Sequence, residues 1–299
     1  MERASIAITV LLCVFLTGES LSQTFEIRLG EEQGGLHVVK VGSEKPVVTQ
    51  NAKKGMRPYL HPITTPDGKG VLTEIHPSHH LHQTGVYWGL KKVNGRDFFM
   101  NHGDDYYRFK SLGIVEKSGK EVSWETVYDL IDENGKGILR ETQRWTLKEE
   151  MGSFLLDLEW RGEGLTDVSV EKFFVGGLFL RMPWFKGISG TVINSVGEKG
   201  SSEAEGHRAV WVDIGMEISG IADWGHIAVL DHPDNVAFPT PWRIDSQLGV
   251  GPSRQILGDW KLGKGETTIE RYRLVVYTGP LDQAKISRFW KDYVCESRN

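Results

Sequence analysis

The chain has almost no cysteine: Cys13 and Cys295 are the only two in 299 residues. Cys13 lies inside an apolar leader, so the mature chain keeps one thiol. One thiol excludes a disulfide framework and a cysteine-based metal site. Long apolar runs are missing too. The longest, Ile6 to Leu16, falls short of the ~20 residues a membrane helix needs. No basic block stands out and the net charge is -5, which argues against nucleic acid as a partner. There is no linker, low-complexity stretch or internal repeat. The 35 glycines follow no period and therefore read as turns rather than collagen.

The first residues have a pattern of their own. Met1-Glu2-Arg3 precedes the apolar run, and small and polar residues follow it to Gln23. Ser20-Leu21-Ser22 supplies small residues at the usual cleavage positions. This predicts a secretory signal over 1–22, cleaved after Ser22, and a secreted or periplasmic protein. A single domain is expected from residue 23 to 299.

That domain reads as strands. Leu36 to Val41, Val122 to Leu130, Glu141 to Leu147, Phe154 to Trp160 and Thr268 to Tyr277 show period-two alternation. Pro66-Asp67-Gly68, Val93-Asn94-Gly95, Glu133-Asn134-Gly135 and Lys261 to Gly265 supply turns. One helix is expected over Leu281 to Val294, where Ile286, Phe289, Trp290 and Tyr293 make an apolar stripe. The fold class is therefore all-β, a two-sheet antiparallel β-sandwich with a C-terminal helix. Trp124, Trp145 and Trp160 sit in alternating strands and are core candidates. Trp184, Trp211, Trp224 and Trp242 lie beside Gly, Pro or charged residues and are candidates to line a groove that stacks on sugar rings.

Histidine is crowded: five of the ten fall between His61 and His82. Arg57-Pro58-Tyr59-Leu60-His61-Pro62 opens this region, and His76-Pro77-Ser78-His79-His80-Leu81-His82-Gln83-Thr84-Gly85 closes it. Imidazoles titrate near neutrality and act as proton shuttles, so His80 and His82 are the candidate acid–base pair. A second reading makes His76, His79, His80 and His82 ligands of a divalent metal such as Zn²⁺, with His80 and His82 at i, i+2 on one face of a strand. A third is a loop of polar histidines bonded to backbone. Asp231-His232-Pro233-Asp234-Asn235 breaks the apolar strand His226 to Leu230 and places polar groups at a sheet rim. Gly206 to Asp213 reads as another polar-rich strand. Arg181, among apolar residues of Gly176 to Pro183, needs a partner or a function because an unpaired buried charge is costly. Asp104, Glu171 and Asp213 are the candidate partner carboxylates.

Four motifs occur in order: Arg-Pro-Tyr-x-x-Pro from Arg57, the His80 to Gly85 run, Gly-Gly-Leu-x-x-Arg-Met-Pro from Gly176, and Ile227 to Asn235 followed by Pro239-Thr240-Pro241-Trp242. The strand Glu270 to Leu274 and the helix after it fit the same pattern. Together these resemble a secreted bacterial family labelled "methane oxygenase PmoA" or PmoA-like, a domain of unknown function. Gln83-Thr84 departs from the His-x-His-His-Arg-Gly of many relatives. A particulate methane oxygenase subunit lies in a membrane, which this mature chain has no segment to span. The resemblance implies instead a galactose-mutarotase-like sandwich and a carbohydrate substrate or ligand. On that reading His80, His82, His232 and Asp231 are catalytic in an epimerase, lyase or hydrolase. Arg57, Tyr59, His61, Gln83, Arg181, Trp211, Asn235 and Trp242 would bind the sugar. The alternatives are a His-ligated metal enzyme and a non-catalytic glycan-binding envelope protein.

Overall fold

The structure, a computed structural model, describes residues 24–296 apart from 31–33, 101–102, 219 and 221–222. The signal expected over 1–22 lies outside the described residues. No helix among them is long and apolar enough to cross a membrane.

The alternating segments form two large antiparallel sheets. In order across the first sheet, the strands are Trp242–Ile244, Gly249–Pro252, Gly177–Arg181, Val86–Gly89, Tyr59–Ile63, Pro46–Asn51, Gly35–Lys40, Phe25–Leu29 and Ser118–Gly119. The second runs Gly190–Asn194, Trp211–Glu217, Trp224–Asp231, Thr267–Thr278, Ser153–Gly164, Gly137–Glu150, Glu121–Ile131 and Tyr107–Glu116. Long strands of the second sheet bury one side chain in two; the pattern over Gly137–Glu150 alternates for most of its length. The helix spans Gln283–Glu296 and lays Ile286, Phe289 and Tyr293 on the outer face of this sheet, against Trp211, Leu230 and Tyr277.

The sheets meet face to face. Trp88 of the first stacks on Trp160 of the second with centroids 4.1 Å apart. Trp124 donates its indole N–H to Gln50 Oε1 across the interface at 2.9 Å. Trp124, Trp145 and Trp160 are all buried, as their alternation predicts. The stretch Gly206 to Val210 corrects one expectation: the strand begins only at Trp211. Gly206 has a φ of +77 and Arg208 sends its guanidinium to the carbonyls of Ala237 and Pro239, so this stretch is a connection.

Candidate functional site

The histidine segment is not a strand. It is a loop pinched at its base by pairing of Ile75 with Thr84 and by the His76 amide bonded to the Gln83 carbonyl. Inside it the His80 amide donates to Pro77 and the Gln83 amide to His80, giving two successive turns. Two turns still bring His80 and His82 together, with ring centroids 5.7 Å apart. His79 Nδ1 lies 2.8 Å from His80 Nδ1, so one ring must donate there to the other. His79 also sits edge-on to Trp184 at 5.2 Å.

His80 and His82 line a cavity of about 260 Å³ together with Gln83. Its walls are aromatic: Phe99, Phe173, Phe174 and Phe179. Lys91, Arg243 and Asp245 complete the polar lining. Lys91 pairs with Asp97, and Arg243 pairs with Glu205 at 2.7 Å while covering the Phe174 ring.

Two fully buried arginines hold the loop from behind. Arg57 lies flat on the Tyr87 ring, 3.7 Å from its centroid, and donates to Thr84 Oγ1 and to the carbonyls of Phe99 and His82. Arg181 donates to Gln83 Oε1, the Gln247 carbonyl and both carboxylate oxygens of Asp245. The partner that Arg181 requires is therefore Asp245. Of the carboxylates considered from sequence, Glu171 pairs with Lys92, Asp213 binds His226, and Asp104 packs beside Gly55. Both guanidiniums are spent on the protein, so neither arginine reaches into the cavity; each positions the histidine loop.

Electrostatics follow from this. Burial, then the Arg57 charge, lowers the His82 imidazole to about 4. Burial and the Arg181 charge also lower His80, partly offset by Asp245. Both rings are neutral near pH 7. Burial alone would raise the Asp245 carboxyl, but Arg181 outweighs it and holds it below its ordinary value.

The other sequence candidates do not join this cavity. Tyr59 packs in an aromatic cluster with Tyr87, Phe99 and Phe179, and His61 bonds Thr73 Oγ1 at 3.0 Å. Trp211 lies beneath the C-terminal helix, and Trp242 is buried with its indole N–H on the Ala209 carbonyl. Neither forms a groove wall. Asp231 accepts from the Asn235 amide and the Thr240 backbone N–H, and Asn235 also exchanges hydrogen bonds with the Arg271 backbone. His232 packs edge-on to Tyr293 at 5.0 Å. This group fastens the Asp231 turn to the neighbouring strand and the helix. Nor do the four clustered histidines form a metal site. His76 donates from Nδ1 to the Leu81 carbonyl at 2.6 Å, which turns it away, and among the described residues no three His, Cys, Asp or Glu side chains converge to hold a metal ion.

The residues that sequence reasoning missed are the phenylalanine walls, Lys91, Arg243 and Asp245. Phe173-Phe174 stand one residue before the Gly176-Gly177 pair and left a local signal. Asp245 left only the demand of Arg181 for a partner.

A family model described as "Family of unknown function (DUF6807)" matches residues 37–291. That match shows a family of unknown function and does not show the PmoA-like label expected from the motifs. No curated protein matches the chain in sequence. Among solved structures, the chain is similar to the GH36 alpha-galactosidase AgaB from Geobacillus stearothermophilus, at 8% identity over 85% of this chain and 41% of that one, TM-score 0.42. It is similar to the galactose 1-epimerase from Lactobacillus acidophilus NCFM, at 10% identity over 87% of this chain and 100% of that one, TM-score 0.42. It also matches alpha-galactosidase AgaA from the same Geobacillus in complex with raffinose, at 10% identity over 86% and 40%, TM-score 0.39. The chain spans about two fifths of the length of these alpha-galactosidases. At TM-scores this low the likeness carries nothing over to the site.

Proposed function

This chain belongs to the family of unknown function DUF6807, and from that premise we propose that it is a carbohydrate-active enzyme that moves protons on a sugar with His80 and His82. The observation that carries the reading is the pair of neutral imidazoles, 5.7 Å apart, on the wall of a cavity whose other walls are phenylalanines. Aromatic faces suit the C–H faces of a sugar ring, and the polar groups beside them suit its hydroxyls. The volume, about 260 Å³, lies below the ~300–1,000 Å³ typical of larger ligands and fits one sugar residue rather than a chain.

Each neutral ring offers one N–H donor and one lone pair. His80 is the acceptor in this scheme, because the Asp245 carboxylate offsets the Arg181 charge beside it. His82 is the donor. The Arg57 charge disfavours its cation and strengthens its N–H as an acid, as for other neutral imidazoles used electrophilically. A sugar hydroxyl or C–H gives its proton to His80 while the neutral His82 hydrogen-bonds the ring or glycosidic oxygen and stabilises the charge that develops there. Epimerisation at the anomeric carbon and elimination both begin with such a step; hydrolysis would instead have His80 take its proton from an attacking water. Residues 1–22 further motivate a secreted or periplasmic location.

One observation favours a second reading, non-catalytic glycan binding. The cations nearest the cavity are all engaged: Arg57 and Arg181 by the backbone, Gln83 and Asp245, Lys91 by Asp97, and Arg243 by Glu205. Incubation with a monosaccharide and glycan panel in heavy water, read by NMR for exchange and by mass spectrometry for product, separates the two. The enzyme reading expects exchange or product that His80→Ala abolishes. Binding without either outcome across the panel would leave the glycan-binding reading in its place.

A further inference from the structure

The outer face of the second sheet holds another cavity, of about 590 Å³, beside the start of the C-terminal helix. Its lining is mostly apolar, with Val192, Trp224, Pro280 and Leu281, and carries three polar side chains, Thr191, Lys199 and His226. His226 is 1% exposed and is held on one edge. Its Nδ1 lies 2.8 Å from Asp213 Oδ2, and the Tyr277 hydroxyl donates to Asp213 Oδ1 at 2.8 Å. Burial and the Asp213 carboxylate push the Tyr277 phenol far above its ordinary range, so it remains a donor. The carboxylate accepts from both neighbours, which places the hydrogen of a neutral His226 on Nδ1.

The ring orientation is fixed as well. His226 stacks on Tyr277 with centroids 4.7 Å apart and planes 10° apart, and Trp224 stacks at 6.0 Å. Gly215, its cross-strand neighbour, leaves the room the ring fills; a Cβ there would collide with the imidazole. Nε2, on the other edge of the ring, is buried and has no hydrogen-bond partner. A buried acceptor left unpaired costs about 1–3 kcal/mol. An oriented, unsatisfied imidazole on the wall of an apolar cavity is the arrangement of a binding site awaiting a donor.

We propose that this cavity is a second ligand site, distinct from the His80–His82 cavity, which takes a small neutral apolar molecule bearing one hydroxyl donor, a phenol or related aryl alcohol, with the hydroxyl given to His226 Nε2 and the ring lying against Trp224. The mostly apolar lining selects against many-hydroxylated ligands, because Thr191 and Lys199 are the only polar side chains beside His226 in it. The unpaired acceptor at Nε2 selects a donor over an ether of the same shape.

The test uses the full mature chain with para-cresol and its methyl ether, which cannot donate. Binding is followed by ligand-observed NMR and by the imidazole nitrogen resonances of His226. The expected result is para-cresol binding about ten-fold tighter than the ether, the worth of one such hydrogen bond, with the Nε2 resonance shifted. His226→Ala should bring para-cresol down to the level of the ether. Should that variant fail to fold, Trp224→Ala, at a half-buried position, should weaken both probes while preserving their ratio. Equal binding of the two probes, no binding of either, or an unmoved Nε2 resonance would overturn the site.

Discussion

The guanidinium of Arg57 donates to the main-chain carbonyl of His82, so a buried cation anchors the histidine loop and adds to burial, the larger cause, in keeping one of its rings neutral. Arg57→Ala leaves the carbonyls of His82 and Phe99 without that donor. Each unsatisfied group costs ~1–3 kcal/mol, so a loss of about 3 kcal/mol is expected in chemical denaturation. In the same variant the His82 imidazole should titrate closer to the ordinary value of ~6.5, which NMR titration of its ring protons reads directly.

His82 also makes stability depend on pH. Its folded value of about 4 lies below the unfolded value, so the unfolded chain binds the proton first. Stability from this group is complete above ~6.5 and falls as the pH drops from there towards 4. Buried carboxyls pushed up by desolvation, Asp231 to about 6 and Glu270 to about 7, act in the opposite direction. The difference between wild type and His82→Gln isolates the histidine. Denaturation midpoints across this range should fall less steeply with acid in the variant.

Asp245 is the electrostatic anchor on the other side of the loop. Asp245→Ala leaves Arg181 buried without its carboxylate, and breaking such a pair costs ~3–5 kcal/mol. The wild-type contribution is present above the ordinary Asp value and is lost as the pH falls through the lower folded value. Thermal melts of the variant and wild type at neutral and strongly acidic pH should therefore converge in acid. A gap of equal size at both would show that the ion pair is not what Asp245 contributes.

Much of the fold was legible because alternation reports burial directly. Phe154 to Trp160 and Thr268 to Tyr277 read as strands, which the structure pairs side by side in one sheet, and Ile286, Phe289 and Tyr293 predicted the helix face that packs on it. The site was legible only in part. His80 and His82 stand in one short segment, and their proximity survived even though the segment is a loop. Phe173, Arg243 and Asp245 arrive from distant strands and connections, and no local period encodes that meeting. A buried Arg181 demands a partner, and sequence cannot say whether that partner is substrate or protein; the motif around Arg57 likewise does not tell an anion contact from a structural one. Asp231, His232 and Asn235 belong to a separate motif and serve the turn beside the helix, away from the cavity.

That last assignment has its own consequence. Asn235→Ala removes two donated hydrogen bonds and one accepted from the Arg271 amide, and should lower stability by about 1–3 kcal/mol. Ligand affinity at the His80–His82 cavity should stay unchanged, because the Asp231 turn does not line it. A loss of affinity larger than the loss of folded protein would return this turn to the site.

The central claim is that His80 and His82 meet a sugar. Imidazole nitrogen spectra of the protein, recorded while a panel of monosaccharides is titrated in, test it most directly. The account predicts that at least one sugar shifts the His80 and His82 resonances together, leaves His226 and His232 in place, and loses this effect in Phe179→Ala, which opens the cavity wall. Spectra in which no sugar moves either ring, at concentrations that saturate ordinary sugar sites, would contradict it.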